Sequence, residues 1–112
     1  MPLHTTCPFT AAEFQRRQRH VCRELARRDL DGLLMFRQES MYYVAGYATF
    51  GYCFSQCLYL GADGHMTLLT RLPDTIVAGL DSAIEDIRPW HNVPDANPAI
   101  DLRNVLEEYV QI

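Results

Sequence analysis

A chain of 112 residues with 48% hydrophobic and 21% charged side chains and a formal net charge of −4 suits one globular domain and leaves no room for a second. Those proportions exclude a disordered chain. No apolar run approaches the roughly 18–20 residues needed to cross a bilayer, and the start MPLHTTCPFT lacks a basic segment followed by an apolar core, so no membrane partner is expected and the expected compartment is the cytoplasm.

All Lys/Arg positions are Arg, and six of them, Arg16, Arg17, Arg19, Arg23, Arg27 and Arg28, fall in the first predicted helix. They are spread around its circumference without interleaved aromatic residues in a chain of net negative charge, which argues against nucleic-acid binding and for a solvated or interface face. Positions 74–112 carry eight acidic residues against Arg88 and Arg103, a sign asymmetry that can steer an interface without naming the partner. Cys7, Cys22, Cys53 and Cys57 match no standard metal-ligand spacing and are read as buried, reduced thiols.

The elements follow in order. Thr10-Ala11-Ala12-Glu13 reads as a capping box flanked by the staple pair Phe9 and Phe14. Phe14, Val21, Cys22, Leu25 and Ala26 recur at helical spacing, broken only by Gln18, and the helix should end near Asp29. Gly32 to Phe36 has the length and apolar content of a strand buried on both faces, so a central position is expected. Ser40 to Val44 is a short helix closing at Gly46. Tyr47 to Tyr52 is an aromatic loop holding Gly51, and Cys53–Leu60 and His65–Thr70 form a hairpin about Gly61-Ala62-Asp63-Gly64. Pro73 opens a helix to about Leu80, Ile84 to Arg88 is a further strand, and Pro89, Pro94 and Pro98 punctuate a loop. Asn97-Pro98 then caps a final helix through Leu102, Val105, Leu106 and Tyr109, which runs to the C-terminus without a stop signal, so that the chain is expected to continue into a further domain.

The sequence offers no His-x-x-Glu cluster, phosphate-cradling Gly loop or nucleophile elbow. His4, His20, His65 and His91 are scattered and read as structural or exposed; Asp29, Asp31, Asp63 and Asp86 lie at element boundaries, where Asp bonds the local backbone. No catalytic residue and no metal ligand is assigned within the chain.

The run Asp29-Leu30-Asp31-Gly32-Leu33-Leu34, followed by Glu39-Ser40-Met41-Tyr42-Tyr43-Val44-Ala45-Gly46 and Ala62-Asp63-Gly64, resembles the N-terminal domain of the creatinase/prolidase family of pita-bread hydrolases, and the resemblance extends from about Phe9 to the last residue. It implies an α/β fold, a mixed sheet flanked by helices in a ribonuclease-H-like arrangement, spanning 1–112 as one domain ahead of a C-terminal catalytic domain. It implies that this part is inert alone, that any divalent metal belongs to the missing catalytic domain, and that the parent cleaves C–N bonds of the Xaa-Pro dipeptidase or aminopeptidase kind. The partners it implies are that catalytic domain, a second subunit in a homodimer, and a small-molecule or dipeptide substrate of the parent. In creatinase-like members a loop of this domain reaches the neighbouring subunit's active site; the matching loop is Ala48-Thr49-Phe50-Gly51-Tyr52, which makes Phe50, Tyr52 and Tyr47 the candidate substrate-binding residues. The Arg that follows the Phe-Gly step in creatinase is Tyr52 here, which argues against creatine as substrate. Packing of Tyr47, Phe50 and Tyr52 on the hairpin is the competing account of that loop, and a free-standing binding domain is the competing account of the whole chain.

Overall fold

The computed structural model describes residues 9–47, 55–90 and 93–110. Four helices and four strands alternate as α1 (Ala11–Arg27), β1 (Gly32–Met35), α2 (Gln38–Ala45), β2 (Cys57–Gly61), β3 (Met66–Arg71), α3 (Leu72–Asp81), β4 (Asp86–Trp90) and α4 (Pro98–Leu106). The strands lie in the order β1-β2-β3-β4, antiparallel across β1/β2 and β2/β3 and parallel across β3/β4. The expected mixed sheet with flanking helices is therefore the fold.

Helix α1 begins where the capping box places it. Thr10 Oγ1 accepts from the Glu13 backbone N–H at 3.2 Å, and Phe9 and Phe14 meet edge to face at 6.1 Å. The Glu13 carboxylate turns to Arg16 and Arg17, whose bonds hold it well down, at about pH 2. Gln18, the polar break in the stripe, donates to the Val44 carbonyl at 3.0 Å and so ties α1 to the end of α2. Helix α2 closes at Gly46, which adopts φ 75°, a conformation that favours glycine.

One sheet face carries Leu58, Leu60, Leu68 and Met35, joined by Met41, Val44 and Ala45 of α2, Ala78 of α3 and the flank of α1 at Val21 and Cys22. Leu58 pairs across the ladder with Leu68 and Met35, so these side chains share one pleat face and form the main core. On the other face Tyr59 and Thr67 are paired and buried, and the Tyr109 ring, just past α4, stacks on Tyr59 at 5.6 Å. A close approach fixes Gly32: a Cβ there would lie 2.4 Å from Tyr59 Cε1.

Four expectations change, one of them at Pro89, which is expected in a loop and lies within β4 opposite Thr70. Gly32–Met35 is an edge strand rather than a central one: it pairs only with β2 among the described residues, and Leu33 and Leu34 each stay 37% exposed. An apolar run fits either position, because it reports hydrophobicity and not the number of neighbours. The second strand starts at Cys57 instead of Cys53, which lies outside the described residues. The last helix ends at Leu106, and a turn through Tyr109 carries that side chain back to the sheet.

Cys22 and Cys57 are free thiols, and burial pushes the Cys57 thiol up to about 12. Ionisation alone then slows alkylation at neutral pH by about a thousandfold. Peptide-mapped iodoacetamide labelling is expected to leave Cys57 unmodified in the native protein and to modify it readily in urea.

Candidate functional site

Three features outside the apolar core concentrate chemistry. The first lies where β3 begins. His65 and Thr67 are two residues apart, so both project to the same side, and Thr67 pairs across the parallel ladder with Asp86, the first residue of β4. The turn after α4 adds Tyr109. His65 Nε2 lies 2.9 Å from Thr67 Oγ1, 3.1 Å from Asp86 Oδ2 and 2.9 Å from the Tyr109 hydroxyl. Asp86 Oδ2 accepts from Thr67 at 3.0 Å and from Tyr109 at 2.8 Å, while Arg88 donates to Asp86 Oδ1 at 2.8 Å and to both Glu108 oxygens.

Burial raises the Asp86 carboxyl, but the donors Arg88, Tyr109 and Thr67 outweigh it and hold the group well below the usual carboxylate range. The bond from Thr67 pulls the Tyr109 phenol down, yet burial and the Asp86 charge leave it raised. A phenol held protonated and a carboxylate saturated with donors are poor nucleophiles or bases, so the chemistry available here is cohesion: the cluster fastens the residues after α4 to the sheet.

A second feature surrounds Arg17, which is 8% exposed. Its guanidinium lies 4.3 Å from the Phe9 ring centroid, 5.4 Å from that of Phe14 and 4.5 Å from that of Tyr43, while Nε bonds Glu13 and Nη1 the Tyr43 carbonyl. Among the six Arg of the first helix, this one belongs to the interior rather than to the solvated or interface face.

The third is an open apolar groove of about 550 Å³ beside β1, lined by Val21, Leu33, Leu34, Phe36, Tyr43 and Val44 among others. Phe36 is 58% and Tyr43 45% exposed. Contiguous apolar surface of this kind is uncommon on a small soluble domain.

Of the candidate loop residues, Phe50 and Tyr52 lie outside the described residues. Tyr47 is fully buried; its hydroxyl donates to Gln56 Oε1 at 3.0 Å and sits 3.3 Å from Thr70 Oγ1. The structure thus sets Tyr47 between the end of α2 and the end of β3. Among the described residues, no group of three or more His, Cys, Asp or Glu side chains is placed to hold a metal ion. Asp63 does bond the local backbone, accepting from the His65 N–H at 3.0 Å, as its turn position predicts. Asp86 differs from its expected role, for its partners are side chains from distant elements, whereas His65 is structural, as its scattered position suggests. The sequence signal that could have found them is the His65/Thr67 alternation at the start of a strand, although Tyr109, 44 residues from His65, carries none.

A mixed four-stranded sheet with flanking helices and an apolar groove beside β1 defines an α/β domain. A model of the creatinase/prolidase N-terminal domain matches residues 17–111, and the chain belongs to that family. Among solved structures, it is similar to an XXA-Pro aminopeptidase from Streptococcus pyogenes, at 20% identity and TM-score 0.69 over 88% of this chain and 69% of that one. It is likewise similar to a dipeptidase from Pyrococcus horikoshii OT3, at 24% identity and TM-score 0.68 over 83% of this chain and 25% of that one. An Xaa-Pro aminopeptidase (aminopeptidase P) from Streptococcus thermophilus matches at 21% identity and TM-score 0.65 over 85% of this chain and 66% of that one. At these identities the likeness shows the fold; the chain spans only a quarter of the dipeptidase. No curated protein matches the sequence significantly.

Proposed function

We propose that this domain serves as the non-catalytic N-terminal part of a larger creatinase/prolidase-family hydrolase, where it makes subunit contacts and shapes the entrance to the active site. The observation that carries the reading is the apolar groove beside β1 on a domain of this family. Burying such a surface against a second subunit or a catalytic domain stabilises the assembly in proportion to the area removed from water. The parent's substrate is an Xaa-Pro dipeptide or peptide, a reading supported by the peptidases whose structures the chain resembles. A divalent metal, where the parent uses one, belongs with the catalytic domain, and Phe50 and Tyr52 meet the substrate from the loop, with Tyr47 anchoring its first residue.

The isolated 112-residue chain is expected to release no proline from Xaa-Pro peptides with or without added manganese or zinc. In the full-length parent, Phe50→Ala and Tyr52→Ala are expected to raise KM or lower kcat about tenfold while leaving Tm within a degree or two, since aromatic contacts to a bound group contribute on the order of 1 kcal/mol. Metal-tracking turnover by the isolated chain would refute the non-catalytic assignment. Unchanged kinetics in both variants would return the loop to packing alone.

A further inference from the structure

The groove ends at a strand whose composition is unusual for its position. Strand β1 is the last of the sheet among the described residues, so its outer row of backbone N–H and C=O groups faces away from any ladder partner. Edge strands are ordinarily guarded by Lys, Pro, a bulge or an inward-pointing charge. Gly32–Met35 carries none of these. Charges sit only at its ends, with exposed Asp31 before it and Arg37, 85% exposed at the side chain, after it.

We propose that β1 is the seat of a two-fold contact between copies of this chain, in which the two β1 strands pair antiparallel and join the four-stranded sheets into one of eight. The inference rests on the subunit-contact reading above and specifies its surface and partner. A two-fold perpendicular to the sheet keeps each face on its own side, so residues directly opposite must belong to the same pleat face. Leu33 and Met35 share the face of the main core, since they pair with Leu60 and Leu58 of β2; Leu34, opposite Tyr59, lies on the other. With the axis at Leu34, each Leu34 meets its counterpart and Leu33 meets Met35 of the second copy.

That register brings two further pairs together. Phe36 falls opposite Gly32 of the second copy, a large ring over a residue without a side chain, and Arg37 falls opposite Asp31 of the second copy. Shape and charge are complementary at both ends of the strand, and by symmetry each pair occurs twice. Arg37 is held only loosely within its own chain, 3.7 Å from Glu39, and is available for this contact. The flanking apolar side chains Leu30, Phe36 and Tyr43, each at least 45% exposed, are covered by the same docking.

Sedimentation equilibrium on the 112-residue chain tests the proposal. The wild type is expected to reach a monomer–dimer equilibrium and no larger species, because an isologous contact closes on itself. Leu34→Lys sets two like charges on the axis and is expected to raise the dissociation constant at least about thirtyfold. Arg37→Glu alone is expected to raise it about fivefold to tenfold, and Asp31→Arg/Arg37→Glu to restore it. Both charge positions are exposed, so the pair remains informative should Leu34→Lys disturb folding. A monomer at every concentration up to about 0.5 mM overturns this contact and the subunit-contact part of the proposed function together. A dimer indifferent to these variants, or one that the double swap fails to rescue, overturns the β1 contact alone and moves dimerisation to another face.

Discussion

Replacing Phe14 by alanine is expected to remove about 3–5 kcal/mol of folding stability. The side chain is fully buried, and its loss would empty the space between α1 and α2 at the point where Phe9 packs edge to face and Arg17 stacks. Three effects combine: apolar transfer, a cavity, and weaker seating of a guanidinium taken out of water. A domain of this size has roughly 5–15 kcal/mol in all, so the variant sits close to unfolding at physiological temperature. Thermal unfolding followed by circular dichroism is expected to show Tm lower by about 12–30 °C. A fall of only a few degrees would mean that α1 docks mainly through Val21, Cys22 and Leu25, with the Phe9–Arg17–Tyr43 assembly peripheral.

Asp86→Ala is expected to cost about 2–4 kcal/mol at neutral pH, because it strips partners from Thr67, Tyr109 and Arg88 at once and leaves partly buried donors without an acceptor. The effect carries a pH signature. The folded-state pKa of Asp86 lies below its unfolded value, so its stabilisation is fully present above the unfolded pKa, near 4, and disappears as pH falls through the folded value. Urea titrations of wild type and variant should therefore differ by a constant margin from about pH 5 to 7 and converge as the solution is acidified below about pH 3. Glu13 and Glu24, each held at about 2 by paired Arg side chains, act in the same direction in both proteins and cancel in the comparison. A margin that persisted at low pH would assign the loss to packing instead of charge.

Local rules carried most of the fold. Thr10 and Phe9 fix the start of α1, Gly46 ends α2, Asp63-Gly64 turns the hairpin and Asn97 caps α4, and each works through atoms only a few residues apart. What the sequence left undetermined is whatever depends on distant chain. Gly32–Met35 reads as buried because four apolar residues in a row look alike at an edge and at a centre. Arg17 reads as one charge among six because the rings that enclose it include Tyr43, 26 residues further along the chain, whose carbonyl also accepts from Arg17 Nη1. The network at His65 is invisible from sequence for the same reason, as its members come from β3, β4 and the turn after α4. The candidate loop stands differently again: Tyr47 is legible as an aromatic at a helix exit, but its burial against Gln56 and Thr70 depends on strands that follow it.

The four polar atoms of His65, Thr67, Asp86 and Tyr109 make six mutual contacts between 2.8 and 3.2 Å. At most three hydrogens, one each from imidazole Nε2, threonine and tyrosine, are available to fill them when Asp86 is ionised. Half the contacts are therefore without a proton at any instant, and several arrangements of the three satisfy the same heavy-atom positions. Like the protons of ice, these have a choice of places at fixed framework geometry, and that residual disorder contributes entropy to the folded state. The clasp that fixes Tyr109 is rigid in its heavy atoms and permissive in its protons.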